Sequence, residues 1–77
     1  MLKRQQLTSG SLGSVGYAPD GGVLEVEFTN GLIQRYLRVP RRLYLGLINA
    51  SSPDAFFNEK IRHDFTYYEV REHAFAV

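Results

Sequence analysis

Apolar and polar residues alternate between Val23 and Phe28, with leucine, valine and phenylalanine at even positions and two glutamates at odd ones. A period of two places the apolar side chains on one face of a strand and the carboxylates on the other. Asn30-Gly31 follows, and this dipeptide favours a hairpin because both residues tolerate positive φ. Pro40 ends the second arm, since it cannot donate to a strand ladder and suits the first turn of a helix. The stretch from Val23 to Pro40 therefore predicts a β-hairpin around which the chain is arranged.

Two registers are open to this hairpin. A two-residue loop pairs Phe28 with Ile33 and puts Arg35 on the apolar face. A three-residue loop with a left-handed glycine pairs Phe28 with Leu32, and Arg35 then lies opposite Glu25 on the outer face. A buried unpaired arginine is costly, whereas a cross-strand Glu–Arg pair is mildly favourable. We therefore predict the bulged, three-residue loop.

The segments before the hairpin carry weaker patterns. Residues 1–10 are polar without a clear period and predict a flexible N-terminal arm. Residues 11–18 predict a first strand that bends at Gly13 or Gly16. Residues 19–22 read Pro-Asp-Gly-Gly, which predicts a turn because proline fixes φ and glycine adopts positive φ.

After the hairpin the period changes from two to that of a helix. Apolar residues at helical spacing predict a first helix over 41–50, and Gly46 within it indicates a close contact with the sheet. A second helix is predicted over 53–62, which begins with a proline at its first position. Residues 65–70 are rich in β-forming side chains and predict a fourth strand or an extended segment at the sheet edge. Residues 71–77 are assigned to a C-terminal tail.

Chain length and composition limit the architecture to one small domain. Seventy-seven residues leave no room for a second core, and 44% hydrophobic residues are ordinary for a globular protein. We predict an α+β fold in which a three- or four-stranded antiparallel β-meander packs one face against two short helices. The predicted boundaries are an arm over 1–10, the domain over 11–70 and a tail over 71–77.

Charge and cysteine content narrow the function classes. Nine lysines and arginines against eight acidic residues make the chain nearly neutral, unlike a dedicated non-specific nucleic-acid binder. The absence of cysteine excludes disulfides and thiolate sites and fits a reducing compartment. No apolar run approaches the ~20 residues that span a bilayer, and no apolar segment follows the charged N-terminus. We expect a cytoplasmic protein with no membrane partner.

Four short segments occur in a characteristic order, namely SVGY at 14–17, LEVEF-x-NG at 24–31, RY-x-x-VP at 35–40 and FFN-x-x-IR at 56–62. In this order they resemble the KTSC domain, a short family named for its occurrence at the C-terminus of some lysyl-tRNA synthetases and also found as free-standing small proteins. The resemblance covers roughly residues 11–70. It implies an α+β fold and, through the synthetase attachment, a link to RNA. Gln34 stands where the family commonly has the first tyrosine of a Tyr-x-Tyr pair, which leaves Tyr36 alone for a stacking role.

Four arginines fall within eight residues where the hairpin ends and the first helix begins, with tyrosines between and after them. Guanidinium groups bind phosphate through two hydrogen bonds and aromatic rings stack on unpaired bases, so this mixture suits RNA. A second basic group ends the second helix, where cations also complement the helix dipole. The plainer interpretation is that these charges are solvated and balance Glu25 and Glu27. The candidate nucleic-acid-binding residues are Arg35, Tyr36, Arg38, Arg41, Arg42, Tyr44, Lys60 and Arg62.

Few residues of the sequence suggest catalysis or metal binding. His63-Asp64 resembles an acid–base pair, but adjacent helical residues rarely face one another and no motif positions a nucleophile. His63 and His73 lack the spacing of helical metal ligands. We therefore predict a non-enzymatic accessory module with no cofactor or metal, binding structured or single-stranded RNA. The alternative is a protein-interaction module that docks on a tRNA synthetase, a ribosome or RNA polymerase through a sheet edge and an exposed Tyr67 or Tyr68.

Overall fold

The computed structural model describes residues 4–70. Its elements in chain order are β1 (Arg4–Ser9), β2 (Leu12–Ala18), β3 (Val23–Phe28), β4 (Ile33–Tyr36), α1 (Arg41–Asn49), α2 (Pro53–Lys60) and β5 (Tyr67–Val70). The strands form one antiparallel sheet in which sequence order is also spatial order. The predicted α+β architecture is thus confirmed, but the sheet has five strands instead of three or four.

The additional strand is β1, and it corrects the prediction of a flexible arm over 1–10. Gln5 pairs with Val15 and Gln6 with Ser14, so this segment extends the sheet beyond β2. Only Leu7 of this strand packs against the core, because the strand lies at the sheet edge and its other side chains are polar. Because these side chains are polar, the hydrophobic pattern of the sequence did not predict this strand. Residues 1–3 and the predicted tail over 71–77 lie outside the described residues.

The hairpin has the predicted three-residue loop. The Phe28 N–H donates to the Leu32 carbonyl at 2.8 Å, and Gly31 adopts a φ of +92°. Glu25 consequently lies opposite Arg35 on the outer face, as the electrostatic argument required. The register shift in β2 between residues 12 and 14 confirms that this strand bends at Gly13.

The core lies between the sheet and the two helices. Phe57 of α2 packs edge-on against Phe28 at 5.9 Å and against Tyr36 at 5.4 Å between ring centroids. Gly46 of α1 makes its close contact with Phe56 of α2 and not, as predicted, with the sheet. The buried core cluster comprises Leu12, Val15, Leu24, Val26, Phe28, Tyr36, Val39, Leu47, Phe57 and Ile61.

Candidate nucleic-acid interface

Arg35 belongs to an ion-pair network on the outer face of the sheet. Its Nε lies 2.7 Å from Glu25 Oε1, and Arg4 Nε lies 3.2 Å from Glu25 Oε2. Arg4 also approaches Glu27, at 3.4 Å. The hydrogen bond with Tyr68, and to a smaller extent the one with Glu25, raises the pKa of Arg35 above its ordinary value. The guanidinium is therefore engaged within the domain, and we leave Arg35 out of the candidate interface.

Tyr36 is also unavailable, because it is a core residue with 1% of its surface exposed. Its ring stacks on Tyr67 with centroids 5.0 Å apart, and its hydroxyl donates to Gln34 Oε1 at 2.7 Å. Burial raises the pKa of Tyr36 to about 12. A base cannot reach this ring in the folded domain, so the predicted stacking role for Tyr36 does not fit the structure.

The other three arginines of the cluster emerge together between β4 and α1. Arg41 and Arg42 are the first two residues of α1, and Arg38 lies in the preceding loop with a φ of +58°. This loop is fixed on the turn before β3, because the Val39 N–H donates to the Gly22 carbonyl at 2.8 Å. The three arginines are exposed, and within residues 4–70 none of their side chains has a hydrogen-bond or ion-pair partner.

Tyr44 lies one helical turn beyond Arg41 and is half-buried. Its ring stacks nearly parallel on Tyr17, with centroids 5.0 Å apart and an interplanar angle of 11°. Tyr17 is held in turn by a hydrogen bond from its hydroxyl to the Val39 carbonyl at 2.6 Å. Tyr17 was not among the predicted interface residues. It alternates in phase with the core positions of its strand, however, and this places it on the helix side of the sheet. We refer to the three exposed arginines together with the half-buried tyrosine as the β4–α1 surface, which comprises Arg38, Arg41, Arg42 and Tyr44.

The second basic group does not join this surface. Arg62 lines a cavity together with Thr29 and Asn30, beyond the far end of β3 from Gly22. A six-residue strand spans about 20 Å, which separates Arg62 from the loop that carries Arg38. Lys60 is exposed at the last position of α2. The eight predicted residues thus do not share one surface. Arg35 lies on the outer face of the sheet, Tyr36 lies in the core, and Lys60 and Arg62 lie at or just after the end of α2, which leaves four residues together between β4 and α1.

No helix within the described part of the chain is long and apolar enough to cross a membrane. Over the same residues, no three acidic or histidine side chains come together in a way that could hold a metal ion. His63 is exposed, and His73 lies outside the described residues.

These observations define a small α+β domain with a five-stranded meander, two helices on one face and an exposed arginine group where sheet and helix meet. The chain belongs to the KTSC domain family, whose model matches residues 8–65. It is similar to the crystal structure of a KTSC domain protein from Yersinia pestis, with a TM-score of 0.85 and 32% identity, covering 92% of this chain and 100% of that one. It is also 37% identical over 70 residues to an uncharacterized protein of Stutzerimonas stutzeri (strain A1501), covering 90% of this chain and 99% of that protein.

Proposed function

We propose that this domain is a non-enzymatic accessory module that binds RNA through the β4–α1 surface. The observation that carries the proposal is the exposure of three arginines, within five residues of sequence, without an acidic partner in residues 4–70. Arginines that balanced local carboxylates would be paired as Arg35 is. Exposed, unpaired guanidinium groups are available to phosphate oxygens.

The aromatic neighbour favours RNA over a simpler polyanion. One face of the Tyr44 ring is covered by Tyr17, and Tyr44 lies beside Arg41. An RNA base at this surface would therefore contact the tyrosine ring while a neighbouring phosphate binds the arginine. Three phosphate contacts support only modest affinity, which suits an accessory module working beside a stronger binder. A link to lysyl-tRNA synthetases, which the family resemblance implies, is part of this proposal and makes tRNA the first RNA to test.

Fluorescence anisotropy with a labelled tRNA and a labelled single-stranded oligonucleotide tests the proposal. Arg41→Ala with Arg42→Ala should weaken binding by about tenfold or more, and should reduce the slope of log K against log salt by about 1.4 for a single strand. The matched control is Lys60→Ala with Arg62→Ala, which removes the same charge about 20 Å away. This control should leave the affinity within about twofold. Equal losses in both double variants, or full affinity without Arg41 and Arg42, would count against RNA binding at this surface.

Docking on a protein is the second candidate, and the edge strand β5 favours it. Tyr67 and Tyr68 are 49% and 47% exposed, and no described strand pairs with the far side of β5. Extended segments add to such edges through main-chain hydrogen bonds, and exposed aromatic side chains anchor them. The partner we would test is a component of the translation or transcription machinery. Loss of a defined component on Tyr68→Ala, with retention in the Arg41→Ala, Arg42→Ala variant, would favour this function over RNA binding.

A further inference from the structure

A cavity of about 230 Å³ opens where the β3–β4 hairpin turns, at the end of the sheet remote from the β4–α1 surface. Phe28 and Leu32 provide its apolar walls. Its polar lining comes from the hairpin and from the residues that follow α2, and it includes Thr29, Asn30, Gln34 and Arg62. The hydrogen bonds of these polar side chains determine what the cavity can hold.

The carboxamide oxygen of Gln34 already accepts one hydrogen bond. The Tyr36 hydroxyl donates to Gln34 Oε1 at 2.7 Å. The amide nitrogen, which carries two donor hydrogens, has no partner within residues 4–70. Gln34 lines the cavity and therefore has donor hydrogens available for a ligand there.

Asn30 is arranged in the same way. Its Oδ1 accepts a hydrogen bond from the Leu32 N–H at 3.0 Å, which fixes the side chain across the turn. Its amide nitrogen also has no partner within residues 4–70. A second pair of donor hydrogens is thus available at the cavity.

Arg62 adds a positive charge. One of its terminal nitrogens donates to Asn58 Oδ1 at 2.8 Å, and no carboxylate lies within ion-pair distance of it in the described residues. The remaining guanidinium N–H groups are free to bind a ligand. Ser11, at the rim, donates towards Asp54 Oδ1 at 3.5 Å, and Asp54 is not a lining residue. The lining is therefore rich in donors and cationic, and each of the two amide oxygens already accepts one hydrogen bond.

We propose that this cavity binds a small molecule that carries one oxyanion group, a carboxylate or a phosphate, on a compact apolar body. The oxyanion accepts hydrogen bonds from Arg62 and from the Asn30 and Gln34 amides, while the apolar body packs on Phe28 and Leu32. The cavity lies below the range of about 300–1,000 Å³ typical of ligand pockets, so the ligand is of single-ring size. This site is distinct from the β4–α1 surface and does not depend on RNA binding.

Nitrogen-15 correlation spectra of the whole chain, which also report side-chain amides, test the proposal with three probes. Benzoate supplies the carboxylate, phenyl phosphate supplies the phosphate, and benzamide has the shape of benzoate without its charge. At least one anion should shift the Asn30 and Gln34 side-chain amides saturably, and benzamide should bind about tenfold more weakly or worse. The stronger of the two anions identifies which oxyanion the site prefers. Absence of a saturable shift with either anion, or equal binding of benzamide, would overturn the proposal.

Two substitutions and one control separate this site from general anion binding. Gln34→Glu is nearly isosteric and replaces donors with an acceptor and a negative charge, so it should abolish the shifts. Arg62→Gln should weaken anion binding at the cavity by about tenfold, whereas Arg42→Gln removes the same charge at the other end of the sheet and should leave anion binding at the cavity unchanged. Retention of the native spectrum shows that each variant is folded. Equal weakening by the two arginine substitutions would identify the binding as non-specific charge attraction.

Discussion

Glu25 lies on the sheet face opposite the helices, yet only 1% of it is exposed. It is held between Arg4 and Arg35, one at each carboxylate oxygen. Taking a carboxylate out of water costs several kcal/mol, and this cost is recovered only while the opposite charges remain in place. The network therefore orders the outer face and fixes the edge strand β1 to the centre of the sheet.

Substitution of Glu25 by glutamine should destabilise the domain by about 2–4 kcal/mol, because both arginines lose their shared partner while the volume is nearly conserved. Urea unfolding followed by circular dichroism measures this difference. Glu59→Gln, at an exposed position of α2, is the matched control and should change stability by less than about 0.5 kcal/mol. Similar small effects of both substitutions would show that the buried pairs contribute nothing net.

The hydroxyl of Tyr36 gives the domain a measurable dependence on alkaline pH. Burial, with a smaller contribution from Tyr67, raises its pKa to about 12 from the ordinary value of 10. Between these values the folded protein keeps the proton and the unfolded chain loses it, so stability falls as pH rises through this window.

Tyr36→Phe removes both the hydrogen bond to Gln34 and this titration. At neutral pH the variant should be less stable by about 1 kcal/mol, because Gln34 Oε1 loses its donor. By about pH 11 the wild-type protein loses roughly 1 kcal/mol that the variant does not lose, so the two stabilities should converge. Urea unfolding at both pH values measures the difference, and a constant gap would contradict the assigned pKa.

At the scale of elements, the two helices meet at Gly46. A Cβ placed there would lie 2.6 Å from Phe56 Cζ, closer than side chains pack. Alanine would favour the helix by about 1 kcal/mol, but displacing the half-buried ring costs about 1–3 kcal/mol. The contact therefore explains why a helix-weakening residue lies in the middle of α1.

Gly46→Ala should thus destabilise the domain by about 1 kcal/mol in the wild-type background. The same substitution combined with Phe56→Leu should be neutral or stabilising relative to Phe56→Leu alone, because the ring no longer opposes the new methyl group. Thermal unfolding of the four proteins gives the coupling between the two positions. Equal effects of Gly46→Ala in both backgrounds would locate the strain elsewhere.

Elements were predictable from sequence where independent local signals agreed. In the hairpin, the alternation and the Asn30-Gly31 turn both predict two paired strands, and the Glu25–Arg35 pair selects the register that the structure has. In β1 no such signals agree, since most of its residues are polar and only Leu7 is an apolar residue that packs against the core. One signal was available in principle: two carboxylates on one face of β3, with a single arginine opposite, favour a further cation on a neighbouring strand, which Arg4 supplies.

At the scale of the molecule, the candidate site was predictable only in part because closeness in sequence does not imply a shared surface. Arg35 and Tyr36 are adjacent, but successive side chains of a strand point to opposite faces, so one meets Glu25 and the other enters the core. Arg41 and Arg42 escape this alternation because they begin a helix beyond the sheet. The position of Arg62 depends on how α2 packs against the hairpin, which no local pattern encodes.

The resulting distribution places a basic surface at one end of β3 and a basic cavity at the other, in a chain whose formal net charge is only +1. Charges about 20 Å apart are largely screened from each other at physiological salt, where the Debye length is about 8 Å. The two sites should therefore bind independently. Benzoate affinity should be unchanged by saturating RNA, and RNA affinity unchanged by Arg62→Gln; spectral titration and anisotropy measure the two. Displacement of RNA by benzoate would contradict independent sites. Either the RNA would then extend along β3 as far as Arg62, or benzoate would bind at the arginines of the β4–α1 surface.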